Sequence, residues 1–129
     1  MSTRTPDKDF IKRNAAKVSD KDFQDVLRKK DDIRRKFESQ GPLGRFIEDA
    51  KILFSLVSDY WSGEYREIPY WAISAVVFAL LYVLSPVDLV PDFIPVVGYV
   101  DDAMVVALCL SMIEAELKNY KEWKIRNAA

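Results

Sequence analysis

Four aspartates interrupt an apolar stretch of the chain, and their carboxylates are candidates for metal binding or hydrolysis. The stretch runs from Leu84 to Asp102 and reads LSPVDLVPDFIPVVGYVDD. Its carboxylates belong to Asp88, Asp92, Asp101 and Asp102. Carboxylate oxygens are the ligands that Mg²⁺ and Ca²⁺ prefer, so four of them together would bind a divalent cation or serve a hydrolase that uses one. The spacing matches no calcium-binding loop, and metal binding is therefore an alternative interpretation.

Turns and helix caps account for the same aspartates without any function. Asp88 and Asp92 each closely follow a proline, at positions where aspartate hydrogen-bonds its own backbone in turns. Asp101 and Asp102 directly precede an apolar run, where carboxylates accept hydrogen bonds from the free N–H groups of a helix start. We therefore expect a structural corner, with no catalytic residue and no bound cofactor.

Composition narrows the possible chemistry further. The chain has 129 residues, half of them hydrophobic, which is enough for one domain with its own core. It contains no histidine, which excludes imidazole bases and Ser-His-Asp arrangements. Its single cysteine, Cys109, lies in an apolar run and is expected to fill the core. These features argue against an enzyme.

Hydrophobic periodicity predicts an all-α protein. Residues 21–40 form an amphipathic pattern, so we assign residues 1–40 to a charged amphipathic arm. Gly41-Pro42 ends this pattern, and a second amphipathic helix follows as far as Trp61. Residues 41–129 are assigned to a helical domain. Its core is a hairpin of two apolar helices, over about residues 65–124, joined by the aspartate-proline turn and packed against the amphipathic helix.

The first hairpin helix is long and apolar enough to predict a membrane span. Ile68 to Val87 contains no charge, and a helix without a polar face must be surrounded by lipid or by protein. Twenty residues are about enough to cross a hydrocarbon core of roughly 30 Å. Both ends of the chain are basic and the turn is acidic, which predicts that both termini lie in the cytoplasm and the turn toward the far face. With the second hairpin helix as a partial or re-entrant return, the first is expected to be transmembrane. The alternative is a cytoplasmic bundle with this helix at its centre.

The charged run RKKDDIRRK could contact anionic lipid or nucleic acid. Because its acids alternate with its bases, a solvated helix face is the favoured interpretation. We expect membrane lipid as a partner, a protein partner or self-association as a further possibility, and no nucleic acid.

The aspartate stretch and the helix before it resemble the YkvA-like proteins, a bacterial family built on a domain of unknown function. The resemblance covers roughly residues 65–113 and follows the pattern Y-x-x-S-P-x-D-L-x-P-D-F-I-P, then x-x-G-x-x-D-D. Its turn motif consists here of Ser85, Pro86, Asp88, Pro91, Asp92, Pro95, Gly98, Asp101 and Asp102. The resemblance implies the hairpin and a membrane protein, and it implies no reaction. We therefore expect a membrane-associated structural or interaction element. The alternatives are a divalent-cation-binding protein or hydrolase and a soluble helical interaction module.

Overall fold

The computed structural model describes residues 7–38, 42–84 and 102–128, and within these ranges the chain is helical and has no strand. The predicted all-α class is therefore confirmed. The helices are α1 (Lys8–Ala15), α2 (Asp20–Arg28), α3 (Lys30–Glu38), a 3-10 turn (Pro42–Phe46), α4 (Ile47–Ser62), α5 (Tyr70–Leu84), α6 (Asp102–Met112) and α7 (Glu114–Arg126).

Helix α5 is the centre of the fold. Its twelve consecutive side chains from Ala72 to Val83 are all buried. Five helices pack against it, namely α1, α2, α3, α4 and α6. A helix that is apolar on every side needs such a covering, because any exposed side would leave hydrocarbon in water. The covering of α5 in the described residues is protein.

The N-terminal helices supply much of that covering. The single amphipathic helix expected over residues 21–40 is two helices, because the backbone turns at Lys29 (φ −103°, ψ 21°). Ser19 and Asp22 form a capping box that starts α2. The buried side chains of α1, α2 and α3 join the same core as α5; they are Ile11, Ala15, Phe23, Val26, Ile33 and Phe37. The predicted domain boundary near residue 40 stays a prediction.

Helix α4 matches its prediction closely. It buries Leu53, Phe54 and Val57 at helical spacing, as the amphipathic pattern requires. It ends at Gly63, which has a left-handed backbone (φ 90°) that side-chain-bearing residues rarely adopt. Local sequence therefore determines both the buried face and the end of this helix.

The two helices of the predicted hairpin, α5 and α6, lie against each other. Helix α6 begins at Asp102, next to the expected start. The long second helix expected as far as residue 124 is interrupted at Ile113 (φ −108°, ψ 22°), where α7 begins. Residues 85–101, which connect the hairpin, lie outside the described residues.

Within the three described ranges, none of the helices combines the length and the apolar character that crossing a membrane requires. The transmembrane helix predicted over Ile68–Val87 is thus not confirmed. Its described part, α5, is enclosed by other helices of the same chain.

A matched pair of isoleucines tests whether the N-terminal helices belong to the core. Ile33 in α3 is 0% exposed, whereas Ile125 in α7 is 76% exposed. We expect Ile33→Ala to lower the free energy of unfolding by about 2–5 kcal/mol, because it removes buried methyl groups and leaves a cavity. Ile125→Ala should change it by no more than about 0.5 kcal/mol. Urea denaturation of both variants measures the difference, and equal stabilities would contradict the packing of α3 onto α5.

Candidate functional site

The structure describes little of the predicted aspartate site. Asp88, Asp92 and Asp101 lie outside the described residues, and of Asp102 only its place as the first residue of α6 is described. The other motif members also lie outside; they are Ser85, Pro86, Pro91, Pro95 and Gly98. Within residues 7–38, 42–84 and 102–128, no three acidic, histidine or cysteine side chains are placed to hold a metal ion. The aspartate cation site stays a prediction.

The thiol of Cys109 is fully buried in α6. Burial raises its pKa to about 12, because the charged thiolate would lose its hydration. The thiol is therefore protonated at neutral pH and unsuited to nucleophilic chemistry. The prediction that Cys109 fills the core is confirmed.

A chain of polar side chains joins α4 to α7. The Tyr120 hydroxyl donates a hydrogen bond to Asp59 Oδ2 at 2.7 Å and lies 2.5 Å from Ser55 Oγ. Because the Tyr120 proton is directed to Asp59, Ser55 is the donor in the second bond. Lys124 Nζ completes the chain with a hydrogen bond of 3.1 Å to Asp59 Oδ2.

Helical spacing explains this geometry. Ser55 and Asp59 are four residues apart on α4, and Tyr120 and Lys124 are four residues apart on α7. Residues at this spacing lie on the same face of a helix, so each helix presents two polar groups to the other. The ring of Tyr120 is held by two aromatic neighbours, with centroid distances of 5.0 Å to Tyr65 and 5.8 Å to Trp123.

The electrostatics of this chain favour a structural role. Burial, together with the hydrogen bond to Asp59, raises the pKa of Tyr120, so its hydroxyl is neutral at physiological pH. The hydrogen bond to Asp59 also raises the pKa of Lys124 and keeps its ammonium group charged. Neither group is poised to transfer a proton near neutral pH.

Beside the polar chain, α3, α4 and α7 line an open cavity of about 490 Å³, which we call the basic groove. Its lining residues are Lys30, Arg34, Ile47, Ala50, Lys51, Phe54, Ser55, Ser58, Asp59 and Lys124. Four of them are cations and one is a carboxylate. A second cavity of about 360 Å³ has two acids and two bases in its lining, so its charges balance. Of the two cavities, only the basic groove has more cations than carboxylates among its lining residues.

Sequence reasoning did not find the groove. It recognised the charged run that contains Lys30 and Arg34 and the basic C-terminus that contains Lys124. It did not connect them, because these residues are about ninety positions apart and only the packing of α3 and α7 onto α4 brings them together. The helical spacing of Lys30 and Arg34, four residues apart, was the available signal.

The described geometry defines the class of protein: an all-helical fold in which one apolar helix is enclosed and a second packs against it. Comparisons with known proteins identify the family. A family described as a protein of unknown function (DUF1232) matches residues 72–108, from within α5 to within α6. The "Uncharacterized membrane protein YkvA" of Bacillus subtilis (strain 168) is 30% identical over 80 residues, which are 62% of this chain and 76% of that protein. The chain therefore belongs to the YkvA-like family, as the turn motif predicted. No solved structure matches it.

The polar chain is tested by Tyr120→Phe, which removes the hydroxyl and keeps the ring. We expect it to lower the free energy of unfolding by about 1–3 kcal/mol at neutral pH, because Asp59 and Ser55 lose a buried partner. The raised pKa of Tyr120 means that its contribution is present below the unfolded value near pH 10 and is lost as pH rises through the folded value. The difference between the two proteins should therefore shrink above about pH 10 in denaturation curves. A difference that stays constant with pH would contradict the role of this hydroxyl.

The interpretation of the aspartates as caps and turns is tested by adding cations. We expect no change in melting temperature with millimolar Mg²⁺ or Ca²⁺, because turn and cap bonds need no metal. A rise in melting temperature that is lost in Asp88→Asn/Asp92→Asn would instead establish the cation site, because a ligand that binds only the folded state stabilises it.

Proposed function

We propose that the protein is a membrane-associated helical element that acts through interaction and has no catalytic activity. One observation carries the proposal: two large amphipathic rings stand exposed at the start of an otherwise buried helix. Tyr70 is 51% exposed and Trp71 is 44% exposed, whereas the twelve residues that follow them are buried. Rings with an apolar body and a polar tip are favoured at the boundary between lipid headgroups and hydrocarbon.

Tyr70 belongs to an aromatic cluster formed with residues of α2 and α4. Phe23 of α2 stacks with Tyr60 at 5.7 Å, with Trp61 at 5.6 Å and with Tyr70 at 6.3 Å between centroids. The Tyr70 hydroxyl donates a hydrogen bond of 3.3 Å to the carbonyl of Val18. Tyr70 is therefore held in an aromatic cluster next to the exposed Trp71, so little ordering of Tyr70 is needed when it meets a membrane surface.

The relative in Bacillus subtilis supports the proposal, since that protein is called a membrane protein. The basic ends of the chain support an orientation in which both termini face the cytoplasm. An interaction role fits the polar groups described above, because the pKa values of Tyr120 and Cys109 are both raised. Raised values keep a hydroxyl and a thiol protonated and disfavour nucleophilic catalysis.

Vesicle flotation of the purified full chain tests the proposal. We expect the protein to float with liposomes. Trp71→Ala should bind about tenfold more weakly, because burial of the exposed indole in the membrane interface contributes roughly 1–2 kcal/mol to binding. Ile125→Ala is the control, since it removes an exposed apolar side chain from α7. If the unmodified protein stays in the lipid-free fraction, or if both variants bind equally weakly, the proposal fails.

A further inference from the structure

We infer that the basic groove binds a phosphate monoester, carried either by a lipid headgroup or by a soluble molecule. The lipid form of this inference rests on the proposed membrane association, whereas the soluble form does not.

The groove collects cations from three separate parts of the chain. Lys30 and Arg34 come from one face of α3, Lys51 from α4 and Lys124 from α7. Among the described lining residues these four cations meet one carboxylate, Asp59, and the carboxylates that pair with Arg34 and Lys51 lie just outside the lining.

The existing ion pairs leave these cations available. Arg34 lies 3.1 Å from Asp31 and 3.7 Å from Glu38, and Lys51 lies 3.2 Å from Glu48. These three acids are outside the groove lining, and exposed pairs within one helix contribute little stability. An incoming anion can therefore replace them. Within the described residues, Lys30 has no ion pair.

Lys124 is held differently. Its bond to Asp59 belongs to the polar chain with Tyr120, which is anchored in the core. The ammonium group is therefore fixed at the edge of the groove before any ligand arrives, which reduces the entropy lost on binding. Ser58 adds an exposed hydroxyl that can donate to an anion oxygen.

The chemistry of the lining favours a phosphate monoester. Such a group carries a charge close to −2 near neutral pH and presents three acceptor oxygens, which suits several cations from different directions. The planar fork of Arg34 can bind two of those oxygens at once. Ile47, Ala50 and Phe54 provide an apolar part of the lining for the carbon skeleton that bears the phosphate. The volume of about 490 Å³ is within the usual range for small-ligand pockets.

Charge-matched variants test the inference. The groove variant is Lys30→Gln/Arg34→Gln/Lys51→Gln, and the control is Lys8→Gln/Lys12→Gln/Lys17→Gln, three exposed lysines that do not line the groove. Lys124 is kept because it supports the polar chain. Each protein is floated with phosphatidylcholine vesicles with and without phosphatidic acid. Each is also titrated with inorganic phosphate while backbone amide NMR shifts are followed.

We expect phosphatidic acid to strengthen vesicle binding of the unmodified protein and of the control. The groove variant should lose roughly a hundredfold in affinity for these vesicles, from the loss of three cations near an anionic headgroup. Phosphate alone should shift the amides of groove residues in the unmodified protein and not in the groove variant. If phosphate shifts these amides while vesicles do not bind, the site takes a soluble phosphate ligand and the membrane proposal fails separately.

Equal weakening in the groove and control variants would overturn the inference and leave membrane association intact, since general surface charge would then explain the binding. Absence of both the phosphatidic acid effect and the phosphate shifts in the unmodified protein would also overturn it. If the triple variant does not fold, the single variant Lys30→Gln takes its place in the test. Lys30 is exposed and has no ion pair among the described residues, so its replacement should leave folding unchanged. It should weaken binding roughly fivefold, and unchanged binding would contradict the site.

Discussion

The structure depends on one constraint, which is that α5 has no side that can face water. Twelve consecutive residues from Ala72 to Val83 are buried, and apolar residues lie on every side of the helix, so it has no polar face. Removing such a helix from water is strongly favourable, but only if neighbouring elements surround it completely. Helices α1 to α4 and α6 cover its residues Ala72 to Val83. The amphipathic patterns of α1 to α4 follow from this task, with apolar residues turned to the core and charges turned outward, whereas α6 is apolar over most of its length.

The polar features arise on the outer side of that covering. Helix α4 turns Leu53 and Val57 to the core and uses Ser55 and Asp59 to hold α7. The position of α7 then places Lys124 beside α3 and α4, so the basic groove is a consequence of how the covering is assembled. The same arrangement leaves Tyr70 and Trp71, the first two residues of α5, at the surface, directly before the buried residues begin at Ala72. The fold and the proposed interaction surfaces thus both follow from the way the other helices cover α5.

Local signals in the sequence were sufficient for the buried residues of α4 and α5, which follow from hydrophobic spacing, and for the end of α4 at Gly63. They were insufficient at Lys29, where charged residues continue at helical spacing although the backbone turns. They also could not show whether lipid or protein surrounds α5, because a helix in either environment needs apolar side chains on every face. The contact between Asp59 and Tyr120 joins residues far apart in the chain, and no local pattern predicts such a partner. The turn motif was recognised by its spacing, and it identified the family correctly.

Hydrogen exchange of the backbone amides in lipid-free buffer tests the central claim most directly. If the other helices enclose α5, the amides of Ala72 to Val83 exchange only through global unfolding and share the highest free energy of opening in the protein. Addition of vesicles then leaves their exchange rates unchanged. Rapid exchange of these amides in buffer, with protection gained only when lipid or detergent is added, would contradict the account, because lipid and not protein would then be covering α5.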